Sequence, residues 1–92
     1  MTRIKESDLN SKIRLINELT GSPVEPYLTG PDGRCKAQAG SYYLAGAYGG
    51  WKMERICGDG HGSMDPLNTG YVSKRDLYNQ LAAFIRGLEV NQ

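Results

Sequence analysis

The stretch GSYYLAGAYGGWKMERICG, residues 40–58, decides how this chain folds. It holds three of the six tyrosines and the only tryptophan, with glycines standing between the aromatic and branched residues. Such side chains favour a pleated, half-buried surface, and glycines between them mark turns. The reading is a β-hairpin in which residues 41–45 run up and residues 51–57 return. Gly46-Ala47-Tyr48-Gly49-Gly50 forms the turn, where the paired glycines can adopt positive φ at no steric cost. Alternation puts Tyr42 and Leu44 on one face, Tyr43 and Ala45 on the other. On the return strand Trp51, Met53 and Arg55 share a face, opposite Lys52, Glu54 and Ile56. Neither face is purely apolar, which suits an antiparallel sheet with one side on a core and the other partly aromatic and charged.

Before the hairpin, Leu9, Ile13, Ile16 and Leu19 recur at steps of four, three and three, the stripe of an amphipathic helix. Asn10, Lys12, Arg14, Asn17 and Glu18 fall mostly away from that stripe. The helix is expected over 8–20, with Ser7 or Asp8 as N-cap, Gly21 as a left-handed stop and Pro23 and Pro26 forbidding resumption. Residues 1–6 are expected to fray. Residues 22–33 carry three prolines and read as a loop, with Pro31-Asp32-Gly33 as a turn. Residues 34–39 read as a short edge strand, whose Arg34 and Lys36 suit an exposed edge.

After the hairpin, residues 58–69 read as a long, mobile polar loop, and Gly70-Tyr71-Val72 as a short strand. Ser73 and Asp76 have the spacing of a capping box, followed by Leu77, Leu81, Phe84, Ile85 and Leu88 at helical intervals. This second helix is expected over 74–87, with fraying to residue 92. Two amphipathic helices bracketing three to four short strands, in the order α-β-β-β-α, imply an α+β fold with both helices on one face of a small antiparallel sheet. One domain spans residues 1–92.

Composition narrows the function classes. With 39% hydrophobic and 23% charged residues the chain is an ordinary globular one. A formal charge of +1 disfavours both a mimic of the nucleic-acid polyanion and a general DNA binder. The N-terminus lacks the apolar segment of a secretory signal, and no run approaches the roughly 18 apolar residues of a membrane span. Cys35 and Cys57 are therefore expected as free thiols in a reduced, cytosolic protein.

The most site-like cluster is Cys57-Gly-Asp-Gly-His61, with Cys35 and Asp65 as possible additions. A structural zinc takes four ligands, generally in tight Cys or His pairs, and only one such pair exists, so no metal is expected. A thiol–histidine nucleophile needs an orienting group and a concave oxyanion site, which a chain of this size seldom adds to its core, so catalytic residues are expected to be none. The loop also lacks the lysine and following helix of a phosphate-binding loop. The better candidate is a surface: Tyr43, Tyr48, Trp51, Lys52 and Arg55 interleave rings with cations on a sheet. Such a face can stack bases and neutralise phosphates, or anchor a protein interface. Trp51 is expected in the core and Tyr48 in solvent. Arg34, Lys36, Lys74, Arg75 and Arg86 add positive patches. Lys74 and Arg75 sit in the first turn of a helix, where the dipole disfavours cations and a negatively charged partner would offset the cost.

Three segments, INELTGSPVEPY (16–27), GSYYLAGAYGG (40–50) and KRDLYNQLAAFIRGL (74–88), resemble small proteins of tailed bacteriophages and mobile elements. Among these the chain looks like the phage-encoded anti-CRISPR proteins directed at type I-F surveillance complexes. The likeness covers most of the chain but is structural, and it transfers no functional positions. It implies a monomeric, stoichiometric inhibitor without cofactor, in the host bacterial cytoplasm and not at a membrane. Such an inhibitor docks on the Cas protein backbone, with possible direct guide RNA contact, and obstructs pairing with target DNA. The surface expected to do so combines Tyr48 with Arg34, Lys36, Lys52, Arg55, Lys74 and Arg75. The alternative is an autonomous single-stranded nucleic-acid binder using the aromatic and basic hairpin face.

Overall fold

The structure, a computed structural model, describes residues 3–57 and 62–90. Helix α1 (Glu6–Thr20) and helix α2 (Lys74–Val90) enclose five strands in sequence. These are β1 (Tyr27–Thr29), β2 (Cys35–Ala37), β3 (Tyr42–Ala47), β4 (Gly50–Ile56) and β5 (Ser63–Met64). All pairings are antiparallel, in one two-stranded sheet, β1-β2, and one three-stranded sheet, β3-β4-β5. The α+β architecture is as expected, with two small sheets in place of one.

The periodic apolar stripes make the core. Leu9, Ile13 and Ile16 of α1 meet Leu77, Leu81 and Ile85 of α2 over Tyr42 and Met53 of the hairpin. Leu9, Ile16, Met53, Leu77 and Leu81 are wholly enclosed, each worth about 1.5–3 kcal/mol of burial. Tyr42 meets Phe84 edge to face at 6.1 Å. The β3–β4 register pairs Tyr42 with Arg55, Leu44 with Met53 and Gly46 with Trp51, so the face assignment from alternation holds.

Several boundaries differ from expectation, among them the edge strand read over 34–39, which spans Cys35–Ala37. Helix α1 begins at Glu6 because Asp8 does not cap from outside. It sits in the first turn, where its carboxylate accepts the Lys5 backbone amide at 2.8 Å. The helix stops as expected: Gly21 has φ 69°, its N–H donates to the Glu18 carbonyl, and the Ser22 N–H donates to the Asn17 carbonyl. Helix α2 runs past Gly87 to Val90, with the Ser73 hydroxyl accepting the Asp76 amide. The hairpin turn has two residues, not five. Tyr48 and Gly49 both have positive φ, 54° and 74°, and Gly46, Ala47 and Gly50 belong to the strands. Residues 27–29, read as loop, form β1 because the Gly30–Gly33 turn folds the chain back. The Gly33 amide donates to the Gly30 carbonyl, and Gly30 donates to Arg34.

Within the stretch read as a mobile loop, Ser63–Met64 pairs with β4. The Asp65 carboxylate then accepts three backbone amides, from Leu67, Asn68 and Gly70. The strand expected at 70–72 is reduced to a bridge in which Val72 and Trp51 exchange both backbone hydrogen bonds. Asn17, read as lying off the apolar stripe, is buried. Its side-chain amide donates to the Tyr42 carbonyl and its side-chain oxygen accepts the Tyr42 amide.

Candidate functional site

The hairpin face turned away from the helices carries Tyr43, Ala45, Lys52 and Glu54, and a second line of tyrosines gathers on it. Glu54 is its electrostatic centre. Its carboxylate accepts hydrogen bonds from the Tyr43 hydroxyl and from Ser63 Oγ, at 2.8 Å from the latter, and Lys52 Nζ lies 3.0 Å away. Burial pushes the Glu54 carboxyl up, but the bonds from Tyr43, Ser63 and Lys52 outweigh it and hold the group below its ordinary range. Burial, reinforced by Glu54, raises Tyr43, and the bond to Glu54 raises Lys52 against the opposing effect of burial.

Lys52 also faces the ring of Tyr71, its Nζ 4.6 Å from the centroid. Tyr71 in turn meets Tyr48 edge to face at 5.7 Å. Tyr48 is 96% exposed. An L-residue at φ 54° costs about 1–2 kcal/mol relative to glycine there. Asparagine, aspartate and glycine are the usual occupants of the first position of such a turn. A bulky ring in a strained conformation, projected into water and touching one other ring, contributes little to folding. Gly50 makes room for this arrangement: a Cβ there would lie 3.0 Å from Tyr71 Cβ and 3.1 Å from its carbonyl carbon.

The residues expected to form one surface are distributed over three. Tyr48 and Lys52 share the outer face. Arg55 lies on the opposite face, its Nε donating to the Gly40 carbonyl at 3.1 Å and its guanidinium 4.9 Å from the Tyr42 ring. Lys74 is on the helix side, its Nζ 5.5 Å from the Trp51 ring. That ring supplies the favourable contact for which an external anion was invoked. Arg75 is exposed on the same first turn. Arg34 and Lys36 are exposed on the β1–β2 sheet, with Arg34 Nε 3.9 Å from Asp32. Trp51 is half-buried against the core and Tyr43 half-buried on the outer face. Tyr71 and Glu54 were missed by reading for cations and rings alone. The alternation that pairs Lys52 with Glu54 on one face was the available signal for Glu54.

Cys35 and Cys57 are both free thiols. His61 lies outside the described residues, so the Cys57–His61 pair is not placed. Among the described residues no group of three His, Cys, Asp or Glu side chains is arranged to hold a metal ion, and no helix is long and apolar enough to cross a membrane.

No family model matches the chain, and comparison with curated proteins and with solved structures found no match. The surface itself is thus the basis for a functional reading.

Proposed function

We propose that this chain is a binding protein that engages a macromolecular partner through the tip and outer face of the β3–β4 hairpin, with Tyr48 as its anchor. The observation that carries this reading is the exposed Tyr48 ring held at φ 54° on a two-residue turn. Strained, solvent-projected aromatics on a rigid scaffold are characteristic of recognition sites, and tyrosine is over-represented among interface anchors. The partner implied by the resemblance is the RNA-bound Cas protein backbone of a type I-F surveillance complex, and the proposed effect is obstruction of target DNA pairing.

A protein partner fits better than single-stranded nucleic acid. Of the cations near the rings, Lys52 is neutralised by Glu54, Arg55 is turned to the other face, and Lys74 covers Trp51. A nucleic-acid groove needs cations left for phosphates.

The test is a target DNA-binding assay on purified type I-F surveillance complex with increasing amounts of this protein. Saturable loss of DNA binding supports the inhibitor reading. Undiminished DNA binding at saturation rejects it.

A further inference from the structure

Strand β3 is the edge of its sheet, and its hydrogen-bonding groups are only partly used. Asn17 occupies both backbone groups of Tyr42 on the side away from β4. Trp51, opposite Gly46, directs both of its own to Val72, away from β3. Alternation then sends the N–H and C=O of Leu44 and Gly46 out of the same edge as those of Tyr42, and no described group takes them. The open edge is about 10 Å long, closed at one end by Asn17 and at the other by the Tyr48–Gly49 turn.

Two clefts flank this edge and share Leu44. One, of about 340 Å³, is walled by Asn10 and Arg14 of α1 and by Glu25 and Pro26 of the following loop. The other, of about 550 Å³, lies over Gly46 between Trp51, Glu6 and Lys74. The Trp51 ring already covers Gly46, on which a Cβ would lie 2.9 Å from Cζ3, so the open part of this cleft lies beside that ring. The cations of both clefts are engaged, Arg14 by Glu18 and Lys74 by the Trp51 ring. Glu6 and Glu25 form no ion pair among the described residues. Glu25 is the uncompensated carboxylate of the first cleft, whereas Lys74 keeps its charge against the ring and balances Glu6 in the second.

We infer that the β3 edge binds an extended basic peptide segment as an added antiparallel strand, with main-chain bonds to Leu44 and Gly46, an apolar side chain against the Trp51 ring and lysine or arginine reaching Glu25. Main-chain pairing supplies affinity and the flanking clefts supply selectivity, the usual division in strand addition. A peptide suits the site better than a second copy of this chain. The window offers only two residues' hydrogen-bonding groups, whereas a stable dimer buries roughly 1,200 Å² or more. This edge adjoins the hairpin tip but does not use the Tyr48 ring, so either reading can fail without the other.

The experiment uses the full chain labelled with ¹⁵N and an acetylated hexapeptide of alternating valine and threonine with a lysine at each end. Titration should shift the Leu44 and Gly46 amides and protect them from hydrogen exchange. N-methylation of the peptide residues facing β3 should weaken binding about tenfold or more, as lost main-chain bonds require. Replacing both peptide lysines by glutamate, or the protein's Glu25→Gln, should weaken it several-fold and reduce the salt dependence. Absence of any shift at about 1 mM peptide, or indifference to N-methylation, overturns the inference. So does protection of Leu44 and Gly46 that rises with protein concentration alone, which would assign the edge to a second copy.

Discussion

The side chain of Asn17 bonds the backbone of Tyr42 twice, donating to its carbonyl at 2.9 Å and accepting its amide at 2.8 Å. A single helical side chain thereby stands where a neighbouring strand would be, and ties α1 to the hairpin across 25 positions of sequence. Asn17→Leu should destabilise the fold by about 3 kcal/mol, because both backbone groups of Tyr42 are left buried and unpaired. Asn17→Asp should be as damaging at neutral pH, since a carboxylate accepts the amide but repels the carbonyl, and should recover in acid. Urea denaturation at pH 7 and at pH 4 checks both.

Tyr48→Asn should leave the fold intact and raise its stability by about 0.5–1 kcal/mol, because asparagine tolerates the left-handed conformation. Thermal unfolding is the measurement. A loss of stability would mean that the contact with Tyr71 outweighs the backbone strain.

Gly46 lies under the Trp51 ring: a Cβ there would stand 2.9 Å from Cζ3 and 3.1 Å from Cε3. Gly46→Ala should force the ring to shift and cost about 1–3 kcal/mol. Trp51 is the only tryptophan, so its fluorescence reports the displacement directly, as a red shift of the emission maximum.

The Tyr43–Glu54–Lys52 group predicts stability that falls at both ends of the pH scale. Glu54 is held below its ordinary 4.5, so its contribution is present above that value and disappears as pH falls through the lower folded-state pKa. Tyr43 and Lys52 are raised above 10.0 and 10.5, so theirs are present below those values and disappear as pH rises through the higher folded-state pKa. Melting temperatures across the pH range should show the acid limb flattened in Glu54→Gln. The alkaline limb should be flattened in Tyr43→Phe, which also loses about 1 kcal/mol at pH 7.

Both helices and the faces of the hairpin were legible in the sequence, because Leu9, Ile13 and Ile16, and Leu77, Leu81 and Ile85, repeat with the period of the structure that buries them. Asn17 was not legible. No local pattern shows that a polar residue beside the stripe will be buried by an edge 25 residues away. Strand β1 escaped because three residues among prolines carry no period, and its pairing depends on the turn at 30–33. Ile56 is buried although alternation assigned it to the outer face. It lines a small cavity of about 180 Å³ with Tyr27, Ala37 and Ser63, so the second sheet and β5 cover it. The candidate site was half legible. The exposure of Tyr48 followed from its place between glycines, whereas Tyr71 reaches it only through the Val72–Trp51 bridge, a tertiary pairing.

Recognition through the hairpin tip is tested most directly by size-exclusion chromatography of purified type I-F surveillance complex mixed with this protein or with its Tyr48→Asn variant. Binding through that ring predicts that the wild-type chain travels with the complex, and that the variant, folded and at least as heat-stable, elutes alone. Failure of the wild-type chain to bind, or equal retention of the variant, would contradict it.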